Sequence, residues 1–158
     1  VISFNAAISA HEKSAEWQRA LGVWSEMQPQ GLTPSVVGRG AVVSSCEKGQ
    51  QWERAMGFLA EAWHRSLRLN VVTHSAAISA CVKGVQRDQA LALLQEMQKR
   101  RISADVISQS AAISACHQGE RWEQAALLLE AMAQHGLLPD VVSVSAGISA
   151  CEKGGHWE

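Results

Sequence analysis

The sequence predicts an all-α solenoid, a linear stack of helix-turn-helix units, and two observations favour it. The heptapeptide from Ser75 to Cys81 returns unchanged from Ser110 to Cys116, 35 residues later, and related versions recur at that period. A fixed period of this length is typical of stacked repeats in which each unit contacts only its neighbours. No linker-like stretch divides the chain, so we expect one array without a domain boundary. Its units are four full repeats and a half: residues 1–35, 36–70, 71–105, 106–140 and 141–158.

The first helix of each unit, helix A, is predicted from residues at fixed positions, counted from the first residue of the unit. Position 3 carries a hydroxyl in four units, at Ser3, Thr73, Ser108 and Ser143. Such side chains cap helix starts, so we expect helix A to begin there. Position 14 is glycine at Gly49, Gly84, Gly119 and Gly154. A glycine there typically ends a helix in the left-handed conformation, which predicts a helix of about ten residues.

The second helix, helix B, is predicted from apolar residues at helical spacing. In the first unit these are Trp17, Ala20, Leu21, Trp24 and Met27. They form one apolar stripe. Glycine and proline from Gly136 to Pro139 then turn the chain toward the next unit. The second unit lacks this turn and carries Gly38 and Gly40 in helix A, so we expect it to be the weakest of the stack.

Two helices per 35-residue unit, with these particular residues, resemble the pentatricopeptide repeat family in its P-type form. The matching motifs are the Val-Val-Ser/Thr opening, Ile-Ser-Ala-Cys-x-Lys-Gly in helix A, Ala-Leu-x-x-x-x-Glu-Met in helix B and the closing Gly-Leu-x-Pro-Asp. The resemblance covers the whole chain. The tetratricopeptide family is the close rival, but its usual period is about 34, with a tyrosine in the first helix. This chain contains no tyrosine.

The resemblance implies a right-handed solenoid whose A helices line a groove for single-stranded RNA, with one base per unit. Such a code is chemically reasonable, since two or three side chains of a helical repeat can meet one base edge. In the family the fifth and last positions of each unit read the base. Here they are Asn5 with Ser35, Gly40 with Asn70, Ser75 with Asp105, Ser110 with Asp140, and Ser145 without a partner. The alternative is that these residues are ordinary helix caps and turn residues.

Position 2 clamps the faces of the bases in the family, and here it is aliphatic throughout: Ile2, Val37, Val72, Ile107 and Val142. Aliphatic clamps lack the aromatic stacking worth about 1–3 kcal/mol per base, so binding by so few units should be weak. The alternative is that these side chains belong to the core at the helix entrance, and both roles are compatible.

The lysines form a row that suits a phosphate backbone. Four of the five occupy position 13, at Lys13, Lys48, Lys83 and Lys153. The alternative is a cation placed at each helix C-terminus for its interaction with the helix dipole. Glu12, Glu47 and Glu152 stand beside three of them and partly neutralise the row.

The cysteines and histidines do not predict a metal site, a disulfide or a catalytic centre. Position 11 holds Cys46, Cys81, Cys116 and Cys151, without a second ligand at zinc-site spacing. Equivalent positions on stacked helices are about 9 Å apart, beyond the limit of about 7 Å for a disulfide. We therefore expect buried thiols in a reducing compartment, no cofactor, no metal and no catalysis.

The remaining expectations concern partners and location. The net charge of −1 gives no bulk attraction to nucleic acid or membrane. The chain begins at Val1 and stops within a unit, so we expect a monomeric segment of a longer protein whose targeting peptide lies elsewhere. The resemblance implies a chloroplast or mitochondrion and a role in RNA processing, stability, editing or translation. One alternative is a scaffold whose groove takes a peptide; another is an array that delivers an editing or nuclease domain.

Overall fold

The computed structural model describes residues 2–27, 29, 31–32, 35–119 and 121–153. These residues form nine α-helices and no β-strand. The A helices are α1 (Ile2–Lys13), α3 (Val36–Lys48), α5 (Val71–Lys83), α7 (Val106–Gln118) and α9 (Val141–Lys153). The B helices are α2 (Trp17–Met27), α4 (Trp52–His64), α6 (Arg87–Lys99) and α8 (Trp122–Gln134). None of the described helices is long and apolar enough to span a membrane.

Helix A begins two residues earlier than predicted, and the predicted cap at position 3 is wrong. In α7 the N-cap is Asp105, the last residue of the preceding unit, whose Oδ1 accepts from the backbone N–H of Ser108 at 2.9 Å. The position-3 residue is therefore a donor to the cap rather than the cap itself. The two β-branched residues that open most units have low helix propensity, which concealed the first turn in the sequence. Helix A is 13 residues long in α3, α5, α7 and α9.

The glycines that follow helix A do not adopt the left-handed conformation, which corrects a second prediction. Their φ angles are −83°, −80° and −94° at Gly49, Gly84 and Gly119. The left-handed residue is the next one, with φ of 56° at Gln50 and 60° at Val85. Glycine is required by packing instead. A Cβ at Gly49 would lie 2.5 Å from the ring of Trp17 in the preceding unit. Gly154 lies outside the described residues.

The helices stack so that the A helices form one face of the molecule. Each A helix packs against the next A helix, and each B helix packs against its own A helix and the following one. Consecutive B helices do not approach one another within the described ranges. Because consecutive A helices lie closer to one another than consecutive B helices do, the A helices form the inner face of the stack and the B helices form the outer face.

The core runs along the A and B helices as two clusters of buried residues, and the partly buried Leu91 and Leu128 pack against both. Position 8 supplies large apolar side chains that are at most 1% exposed: Ile8, Val43, Ile78 and Ile113. Position 27 of the unit, which lies in helix B, supplies Met27, Met97 and Met132, each fully buried. The second unit has Ala62 there, beside a cavity of about 320 Å³ between α2, α3 and α4. The lower stability of the second unit stays a prediction.

Candidate nucleic-acid interface

In two of the predicted reading pairs, the two members of the pair are hydrogen-bonded to each other. The Ser75 hydroxyl donates to Oδ1 of Asp105 at 2.8 Å, and the Ser110 hydroxyl donates to Oδ1 of Asp140 at 3.1 Å. The members of each pair are 30 residues apart in the chain. Helix stacking brings them together, because the last residue of a unit starts the next A helix beside the A helix of its own unit. The third and fourth units therefore each hold one hydroxyl and one carboxylate as a joined group. The serines of these groups are buried, at 3% and 6% exposure, whereas Asp105 is partly exposed and Asp140 is exposed.

The closing aspartates also cap helices, and both tasks fall on the same oxygen. Oδ1 of Asp105 accepts from the backbone N–H of Ser108 at 2.9 Å, from its hydroxyl at 2.7 Å and from Ser75. Asp140 accepts the same set of bonds from Ser143 and Ser110. Within the described residues, Oδ2 of either carboxylate accepts none. The capping interpretation is correct for one oxygen, and the second oxygen remains available to a ligand.

The Asp140 carboxylate is stabilised in its charged form by these donors. Its pKa lies below the usual value because of the hydroxyl of Ser143 and then the backbone N–H of the same residue. The side chain is exposed, so a negatively charged acceptor stands at the surface of the A-helix face at neutral pH.

The second unit presents an amide instead of a carboxylate. Oδ1 of Asn70 accepts from the backbone N–H of Thr73 at 2.9 Å and from its hydroxyl at 2.7 Å. The amide nitrogen of Asn70 has no partner among the described residues. The predicted partner at position 5, Gly40, offers no side chain, and a Cβ there would lie 3.2 Å from Oγ1 of Thr73. Asn70 is thus the single polar reader that this unit supplies.

In the first unit the predicted pair is not joined. The Ser35 hydroxyl accepts from the backbone N–H of Gly38 at 3.1 Å. Oδ1 of Asn5 is buried without a hydrogen-bond partner in the described part of the chain. It occupies the space beside Gly38 that a side chain would otherwise fill. In the last unit Ser145 is exposed, and its hydroxyl donates to the carbonyl oxygen of Val142 at 3.2 Å.

The predicted clamp residues lie at the surface rather than in the core. The exposed fractions are 66% for Val37, 61% for Val72, 61% for Ile107 and 56% for Val142. The side chain of Ile2 lies outside the described part of the molecule. Val37 and Val72 flank a cavity of about 210 Å³ that is also lined by Gly40 and Asn70. Two clamps and both predicted readers of the second unit therefore line one cavity.

Two of the four predicted phosphate-binding lysines form ion pairs between units. Nζ of Lys48 lies 2.8 Å from Oε1 of Glu12, and Nζ of Lys83 lies 2.5 Å from Oε1 of Glu47. Each pair joins position 13 of one unit to position 12 of the unit before it. The sequence predicts these glutamates only as neutralising neighbours of the lysines. The structure shows that each glutamate pairs with the lysine of the next unit, and the recurrence of both residue types at the 35-residue period is the signal for it. The other two lysines, Lys13 and Lys153, make no ion pair within the described ranges.

The thiols are buried as predicted and are not poised to react. Cys46, Cys81 and Cys116 are fully buried, and Cys151 is partly exposed. Burial raises the pKa of each of the three fully buried thiols to about 11. They are therefore protonated at neutral pH and act as small apolar groups. No cluster of three metal-ligating side chains occurs in the described residues.

The fold and the site together define a helical-repeat solenoid whose inner face carries one set of polar side chains per unit. Comparison with protein families places it more closely: the chain belongs to the pentatricopeptide repeat family. Residues 58–119 match the family's "Pentatricopeptide repeat domain" and residues 2–28 match its "PPR repeat", together more than half of the chain. The resemblance given by the sequence motifs is confirmed. No curated protein sequence matches the chain.

Several solved structures share the fold. The pentatricopeptide repeat protein PPR10 from maize has a TM-score of 0.78 at 18% identity, and the match covers 98% of this chain and 22% of that one. The pentatricopeptide repeat domain of Arabidopsis thaliana protein-only RNase P 1, solved in complex with tRNA, has a TM-score of 0.80 at 13% identity. That match covers 94% of this chain and 81% of that one. Nuclear proteinaceous RNase P 2 from A. thaliana has a TM-score of 0.85 at 11% identity, and the match covers 99% of this chain and 35% of that one. The chain thus spans about a fifth of the length of the maize protein.

Proposed function

We propose that this chain binds single-stranded RNA along its A-helix face, with one base per unit and without catalysis of its own. The observation that carries the proposal is the cavity between Val37 and Val72, which places two clamps around the readers Gly40 and Asn70. The joined pairs Ser75–Asp105 and Ser110–Asp140 repeat this arrangement of readers. Two of the similar structures support the same role, since the maize protein is solved with an 18-nt psaJ RNA element and the RNase P 1 domain with tRNA.

The side chains at positions 5 and 35, the proposed base-reading residues, indicate which base each unit prefers. A short serine leaves room for a purine, and the unpaired carboxylate oxygen accepts from the N–H edge of guanine. The third and fourth units should therefore read guanine. Asn70 with Gly40 leans toward adenine, because its unpartnered amide nitrogen can donate to the ring-nitrogen acceptor of adenine, while its Oδ1 is held by Thr73. The family's code gives cytosine for Asn5 with Ser35 and a purine for Ser145, so the proposed core is C-A-G-G-purine.

The test is a change of base preference on substitution of the two aspartates. Asp105→Asn combined with Asp140→Asn should move the preference from guanine to adenine at those two places, by roughly 1–3 kcal/mol per base. Asparagine caps helices about as well as aspartate, so the fold is retained. The measurement is competition between C-A-G-G-A and C-A-A-A-A RNAs in filter binding.

A matched control removes two carboxylates from the outer face. Glu53 and Glu123 are exposed in the first turns of B helices, and their replacement by glutamine should leave the base preference unchanged. An unaltered guanine preference in the double asparagine variant would remove the code from this protein. Failure of the unmodified chain to retain any RNA at low salt would favour a peptide in the groove instead.

We also propose that the full protein acts on transcripts of a chloroplast or mitochondrion, as the family membership favours. Reduced, buried thiols at position 11 are compatible with both organelles. Imaging of the full-length protein carrying a fluorescent tag tests this, and a cytosolic or nuclear signal would contradict it. Crosslinking of the same protein to RNA, followed by sequencing of the bound sites, would identify the transcript.

A further inference from the structure

We infer that the hydroxyl at position 3 of the following unit is a further determinant of base choice, because it fixes the orientation of the closing reader. The hydroxyls concerned are those of Thr73, Ser108 and Ser143. This inference rests on the proposed RNA-binding function and adds a third residue to each reading pair. These residues would not touch the RNA, and they are therefore positioning residues.

The hydroxyl and the backbone N–H of one residue hold the same atom of the reader. Thr73 donates its hydroxyl to Oδ1 of Asn70 at 2.7 Å, and Ser108 donates to Oδ1 of Asp105 at 2.7 Å. The corresponding distance from Ser143 to Asp140 is 2.5 Å. All three donors are fully buried, so their positions are set by packing of the A helices. The backbone N–H of each donates to that oxygen as well.

Two donors from one residue restrict a torsion that is otherwise broad. The terminal torsion of Asp and Asn has wide, roughly two-fold minima, and a single capping N–H leaves the carboxylate or amide free to swing. Oδ1 is held twice by this residue, and a third time by Ser75 or Ser110 in the third and fourth units, so the second atom of the reader has a defined direction. In the second unit, Asn70 lines the cavity between Val37 and Val72.

The identity of the second atom then decides which base edge is accepted. With aspartate the atom is an acceptor, Oδ2, which suits the N–H donors of guanine. With asparagine it is the amide nitrogen, a donor, which suits the ring-nitrogen acceptor of adenine and opposes the N–H of guanine. Because Oδ1 of Asn70 faces two donors, the amide cannot exchange its two ends without losing both bonds.

In the fourth unit the position-3 hydroxyl also contacts the other member of the reading pair, and in the third unit both bond to one oxygen. The Ser143 and Ser110 hydroxyl oxygens are 2.6 Å apart, and Ser75 donates to the same Asp105 oxygen as Ser108. The first junction provides a natural contrast, because position 3 of the second unit is Gly38. Ser35 is held there by a backbone N–H alone. The first unit should consequently discriminate between bases less than the third and fourth.

The experiment substitutes single hydroxyls and reads each base separately. Ser108→Ala keeps the capping N–H and should lower the preference for guanine over adenine about fivefold at the third base, the effect of one hydrogen bond of about 1 kcal/mol. Ser143→Ala should do the same at the fourth base only. The RNAs compared are C-A-G-G-A, C-A-A-G-A and C-A-G-A-A. Ser108→Thr retains the hydroxyl and should restore the preference.

The control is Ser25→Ala, an exposed serine of α2 on the outer face, which should leave all three affinities in the same ratio. A purely structural role of the hydroxyl would weaken binding to every RNA equally. Circular dichroism shows whether each variant keeps its helices. An unchanged base preference at the matched base, in a variant that keeps them, would overturn the inference. That outcome would leave the proposed function intact. Absence of RNA binding by the unmodified chain would overturn both.

Discussion

The closing side chains of the third and fourth units, Asp105 and Asp140, each serve two neighbouring helices at once. Oδ1 of Asp105 caps α7 through Ser108 and accepts from Ser75 on α5. An N-cap side chain typically contributes about 1 kcal/mol, so selection for stability alone would accept Ser, Thr, Asn or Asp at this position. The choice among these types is thus free to serve recognition. A cap and a reader are not competing interpretations here, since they use different atoms of one group.

The lowered pKa of Asp140 predicts a dependence of stability on pH. Hydrogen bonds from Ser143 hold the folded pKa below its ordinary value of 3.8. A depressed folded pKa contributes stability that is present above the unfolded value and is lost as the pH falls through the folded one. Asp140→Asn should therefore lose less stability than the unmodified chain on acidification below about pH 4. Urea unfolding followed at several pH values measures this, and parallel pH profiles for both proteins would contradict it.

The helices of the array are specified at their ends by contacts with the neighbouring unit. The ring of Trp17 lies between Gly49 of the next unit and the guanidinium of Arg54, whose central carbon is 5.5 Å from the ring centroid. The same close approach recurs between Trp52 and Gly84. Glycine at position 14 is therefore a docking surface for the start of the preceding helix B.

Two glycines should respond to alanine with opposite signs. Gly49→Ala places a Cβ against the Trp17 ring and should destabilise the chain by about 1–3 kcal/mol, as overpacking does. Gly57→Ala is the matched control in the interior of α4, where an added Cβ meets no atom within 4 Å. It should stabilise by about 0.5–1 kcal/mol. Chemical denaturation of both variants provides the measurement, and equal changes would show that the ring accommodates a methyl group.

Over the whole molecule, the units are linked by charge as well as by apolar packing. The pairs Glu12–Lys48 and Glu47–Lys83 cross two successive junctions. The pattern stops where the third unit has Val82 and the fourth has Gln118 at the corresponding positions. Exposed pairs of this kind contribute about 0–1 kcal/mol, so they leave the lysines able to exchange a glutamate for a phosphate.

Replacement of Lys13, Lys48, Lys83 and Lys153 by alanine should weaken binding to all RNA sequences alike. The slope of log affinity against log salt should fall by about 0.7 for each phosphate of a single strand that the variant no longer neutralises. Lys48 and Lys83 are paired with glutamates. The Lys13/Lys153 double variant should therefore lose more RNA affinity than a Lys48/Lys83 double variant. Filter binding across a salt series measures both quantities. Affinity and slope that stay unchanged in the quadruple variant would show that the lysines serve the fold only.

The sequence by itself determined the 35-residue unit, the two helices in each unit and the buried stripe, whereas the pairs at positions 5 and 35 were implied by the resemblance to the family. These features repeat with the period, so local chemistry read along the chain was sufficient. Only the tertiary structure decided that Asp105 rather than Ser108 caps α7, that Gly49 is needed for Trp17, and that Lys48 joins Glu12. The cap depends on where the helix begins, and the other two contacts depend on the distance between adjacent units. A period fixes which residues are equivalent, but packing of one helix on the next fixes which of them touch.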